Sequence, residues 1–253
     1  MPVPRWLRLA ARRLILIVLA GSLARAAAGA VAAAPPATAG ERESARVHEM
    51  IAATRAEVAR FQGAGAATGW EGSAASRQLA ALWQYGRDHH GEEAGALATV
   101  ESLRLLARLH RYSELTAKVE TMWPEEAAWA PVMQVLLEWA AASGDFSYFI
   151  DKAQWLITAS EDASLRARLW FTLGRIYREQ GRTDAADAAY KSSAREAAGT
   201  PLAADAAGAI YELHHLNPGQ AAPTFAVQQL GGGVLSLDKL RGKVVVLEFW
   251  GST

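Results

Sequence analysis

Trp170 to Tyr190 reads WFTLGRIYREQGRTDAADAAY, and its order of large and small residues decides the fold. Trp170, Leu173 and Tyr177 recur at steps of three and four, which places them on one face of a helix. Gly174 lies within that face, where a missing side chain lets another helix come close. Gly181 interrupts the pattern as a turn residue, and Ala186 and Tyr190 resume it with the small residue first. The stretch predicts two antiparallel helices. Gly174 and Ala186 permit their approach, while Trp170, Leu173, Tyr177 and Tyr190 fill the gaps.

The same order is legible upstream in weaker form. Leu136, Leu137, Ala140, Gly144, Phe149 and Ala153 repeat it, with Gly144 lying 37 residues before Gly181. A fainter unit centres on His110-Arg111, with Leu103, Leu106 and Leu115. Between Leu169 and Ser193 the chain resembles the tetratricopeptide repeat, whose period is roughly 34 residues. That resemblance implies a helical-hairpin array able to hold a partner peptide in its concave face.

Helical periodicity extends over residues 41–216. Windows run from Glu41 to Phe61, Ser76 to His89, Glu92 to Leu109, Tyr112 to Met122, Pro131 to Ala142 and Phe146 to Thr158. Val47, Ile51, Val58 and Phe61 mark the apolar face of the first. Gly63 to Gly72 is a break, Pro124 suits a helix start, and Asn217-Pro218-Gly219 ends the array. The expected fold class is mainly α.

The amino terminus has a separate logic. Arg5, Arg8, Arg12 and Arg13 precede the apolar run Leu14 to Ala20, and Ala28-Gly29-Ala30 and Ala32-Ala33-Ala34 offer small-residue cleavage sites. This is the layout of a secretory signal peptide over residues 1–34; the alternative is an uncleaved membrane anchor. Residues 35–40, opening on Pro35-Pro36, read as a linker. Export to the periplasm or cell envelope of a bacterium follows, with membrane contact only through this segment. The formal net charge is zero, but removing the leader takes five arginines and leaves 21 basic residues against 26 acidic, a net of −5. A mildly acidic chain gives no reason to expect nucleic acid. With no cysteine in the sequence, disulfides and thiolate metal sites are excluded, and no cofactor is expected.

Residues 217–253 change character. Thr224 to Gln228 is a short extended piece, Gly231-Gly232-Gly233 a turn, and Val234 to Leu237 a hairpin return. Asp238 to Leu240 reads as one helical turn, and Gly242 resets the backbone. Val244 to Trp250 is almost wholly apolar, the pattern of a strand buried on both faces. From Ala222 to Trp250 the order A-P-x-F, glycine turn, V-L-S-L-x-x-L-R-G-K-V-V-V-L-x-F-W resembles the opening of a redoxin domain. More narrowly, it is similar to thioredoxin-like thiol–disulfide oxidoreductases of the TlpA/ResA type, within the AhpC/TSA-like group.

The resemblance implies the first strands of an α/β thioredoxin-like domain. It implies that Phe249, Trp250, Gly251, Ser252 and Thr253 flank a Cys-x-x-Cys redox site, and that Glu248 assists proton transfer. A strand-edge or partly solvated Glu248 is the alternative. Neither catalytic cysteine is present, so the expectation is a chain cut just before its active site, catalytically incompetent as it stands. The full-length partner would be a protein thiol or disulfide, with disulfide exchange favoured over peroxidase chemistry. A non-enzymatic exported adaptor is the second reading.

Other constellations invite chemistry and have plainer explanations. His89-His90 with Glu92 and Glu93 reads as a polar helix end, because adjacent side chains on a helix diverge. His214-His215 suits a helix C-terminus, where positive charge is welcome. Glu125-Glu126 after Pro124 reads as first-turn acid placement, and the three glycines lack the Lys-Ser/Thr of a phosphate loop. Trp129, Trp139, Trp155 and Trp170 are expected to pack between helices.

Overall fold

In the computed structural model, which describes residues 38–64 and 69–248, the chain is mainly helical. The helices are α1 (Ala39–Gly63), α2 (Ala74–Asp88), α3 (Glu93–Arg108), α4 (Tyr112–Val119), α5 (Trp129–Ser143), α6 (Ser147–Ala159), α7 (Ala163–Glu179), α8 (Thr183–Glu196) and α9 (Pro201–His215). Local chemistry sets several of their ends. Ser73 accepts the amide of Ser76 and starts α2, and Asp162 accepts the amides of Ser164 and Leu165 and starts α7. Pro201 occupies the first turn of α9, where its missing N–H costs nothing.

Three of the inter-helix turns share a backbone feature. Left-handed backbone occurs at His110 (φ 56°), Gly144 (φ 76°) and Gly181 (φ 73°), each between the two helices of a pair. After His110 the Arg111 amide donates to Leu106 O at 2.9 Å, and after Gly181 the Arg182 amide donates to Tyr177 O at 2.8 Å. This is one helix-ending geometry used twice. The glycines adopt it without strain, whereas His110 holds it against a steric penalty.

The α7–α8 pair is antiparallel. Arg166 near the start of α7 pairs with Glu196 at the end of α8 at 2.8 Å, and the Ser193 hydroxyl donates to Ala167 O at 2.9 Å. Between them, a Cβ placed on Gly174 would lie 2.6 Å from the Tyr190 ring. Only glycine fits there. Leu173, Tyr177, Ala186 and Tyr190 are buried, and Gly181 is the exposed turn. Trp170 and Phe171 are both partly buried and pack against the core, Phe171 tilted against Tyr190 at 5.6 Å. Leu165 and Leu169 complete the buried face of α7.

One apolar core runs from Val58 of α1 through Leu79, Leu103, Leu136, Leu156 and Leu173 to Leu213 of α9. A smaller cluster of Val47, Ile51, Leu82, Tyr85 and Ala98 joins α1, α2 and α3. Of the four tryptophans assigned to packing, Trp129 is buried, Trp139 and Trp170 are partly buried, and Trp155 is 37% exposed.

Beyond α9, β1 (Ala226–Gln228) and β2 (Val234–Ser236) form an antiparallel hairpin with Val227 opposite Leu235. A 3-10 turn follows at Leu237–Leu240, and Gly242 has φ 81°. The expected buried strand at Val244 does not form among the described residues: Val244 to Glu248 is irregular and exposed, Val244 at 96% and Val246 at 85%. A strand needs a hydrogen-bonded neighbour, and there β1 and β2 pair only with each other. The leader at residues 1–34, the first part of the 35–40 linker, and Phe249, Trp250, Gly251, Ser252 and Thr253 lie outside the described residues. No helix among the described residues is long and apolar enough to cross a membrane.

Candidate functional site

Helices α5 and α7 face a common space. Ala130, Met133, Gln134 and Leu137 of α5 and Leu165, Arg168, Leu169 and Thr172 of α7 line one cleft, with Phe149 of α6 beneath. Each α7 residue lies 35 positions after its α5 counterpart. Met133, Phe149, Leu165 and Leu169 are buried and form an apolar floor, while Ala130, Gln134 and Arg168 are exposed at the rim. The cleft holds about 280 Å³, room for one or two side chains.

A second cleft of about 260 Å³ adjoins it, sharing Ala130 and Leu165. Its wall comes from the turn before α5 (Pro124, Glu125, Glu126, Ala127), Trp129, and the α6–α7 connection (Ser160, Glu161, Asp162). The sequence expectation of Glu125-Glu126 as first-turn acids is corrected here. Helix α5 begins at Trp129, so Pro124 is not its first residue, and Glu126 is 5% exposed. The preceding turn is tied down by Glu126 N donating to Trp123 O at 3.2 Å and by the Trp129 indole donating to Trp123 O at 2.6 Å. Glu126 Oε1 accepts the Trp123 amide at 2.7 Å and a charge-assisted bond from Arg87 Nη1. Arg87 lies 39 residues upstream, and no local pattern announces that pairing.

The histidines diverge. His89 stacks on Tyr85 at 4.2 Å, and His90 meets exposed Trp123 edge-on at 5.0 Å. His214 Nε2 lies 2.8 Å from Asp187 Oδ1, and His215 packs beside Tyr211. Among the described residues no group of three or more His, Cys, Asp or Glu is disposed to hold a metal. Glu248 is exposed, in the segment without strand pairing.

Two titrating groups brace the array. Tyr85 donates to Glu43, and burial first, then that hydrogen bond, push its phenol up to about 12. Glu120 accepts from Tyr148 at 2.8 Å and Lys152 at 2.7 Å. Partial burial works to raise the Glu120 carboxyl, but those two bonds outweigh it and hold the group below the usual range.

Comparison with protein families, with curated proteins and with solved structures gives no match to this chain.

Proposed function

We propose that this chain is the amino-terminal part of an exported thiol–disulfide oxidoreductase, a tetratricopeptide-like array followed by the opening of a thioredoxin-like domain. The observation that carries it is the order after α9: an antiparallel hairpin, a 3-10 turn at Leu237–Leu240, and the left-handed Gly242 ahead of an apolar run. In such an enzyme a low-pKa thiolate at a helix N-terminus attacks a substrate disulfide, and a second cysteine resolves the mixed disulfide. The sequence contains no cysteine, so these residues carry none of that chemistry. Their part is to hold the protein partner. Reading the coding sequence beyond Thr253 tests the proposal: Cys-x-x-Cys directly after Thr253 supports it, and a continuation lacking that motif overturns it.

A second reading, a non-enzymatic exported adaptor, is favoured by the groove between α5 and α7. Its lining repeats with the period of the array, as a peptide-holding face of such an array does.

A further inference from the structure

We draw no further inference here: the strongest candidate, the apolar groove between α5 and α7 with the cleft that adjoins it, is lined by the exposed Arg168 as well as by the carboxylates of Glu125 and Glu161, so its charge selects no occupant, and nothing in the structure shows what covers it.

Discussion

The α2–α3 contact and the α6–α7 contact each join two successive helices, yet one is closed through backbone and the other is looser. In α3 a Cβ on Gly95 would fall 1.9 Å from the His89 carbonyl oxygen, and one on Gly86 of α2 would fall 2.4 Å from Thr99 Oγ1. These helices touch through backbone. Advancing 35 positions turns Gly95 into Ala130, and 35 more turns it into Leu165; Thr99 becomes Gln134 and then Leu169. Helices α6 and α7, where leucines stand at these positions, meet less closely than α2 and α3 do. At α2–α3 the missing side chains of Gly86 and Gly95 are what let the two backbones come together.

The largest test of this comparison lies on the closed side. Gly95→Ala should destabilise the chain by about 3 kcal/mol, since overpacking against a backbone carbonyl outweighs the roughly 1 kcal/mol of added helix propensity. Urea unfolding measures it, and an unchanged midpoint would mean that the backbone contact is not what shuts this seam. A smaller effect comes from alkali. The Tyr85 phenol, which donates from α2 to Glu43 of α1, has a folded value of about 12 against an ordinary 10. The protonated form is favoured by folding, so this stabilisation is whole below pH 10 and is lost as pH rises through about 12. Melting temperature should fall by several degrees over that interval, and less steeply in Tyr85→Phe. The smallest effect is expected on the open side. Ala130 is exposed at the cleft rim, so Ala130→Trp should shift stability by no more than about 0.5 kcal/mol. A loss comparable to that of Gly95→Ala would show that the cleft is not free space.

Much of the helical architecture was legible because it is local. Apolar spacing located the helices, and Gly181 and Gly144 located two turns. His110 marked the third only through the spacing of its neighbours, since a histidine in left-handed backbone has no sequence signature of its own. Trp170 packs against the core from a partly buried position, as Phe171 beside it does, and the spacing pattern marked only the first of the two. The paired carboxylates were misread for a different reason: what buries Glu126 is Arg87, on another helix. Val244 to Glu248 shows the limit of reading a strand from composition, because its apolar run describes a neighbourhood that the described residues do not provide. The groove itself was readable in principle. Comparing α5 and α7 at a step of 35 brings its two walls into register before any coordinate is consulted.

The open cleft also has a mechanical meaning. Helices α7, α8 and α9 interlock closely with one another, and their attachment to the preceding helices passes chiefly through α6. In an array whose stability is a chain of nearest-neighbour terms, the weakest interface is where cooperativity breaks first. Amide hydrogens of α7–α9 are then expected to exchange as one unit and those of α1–α3 as another, with α5 and α6 the thinly joined stretch between them. A segment seated in that cleft would act as a strap across the joint, and its binding would register as slowed exchange on both sides of it.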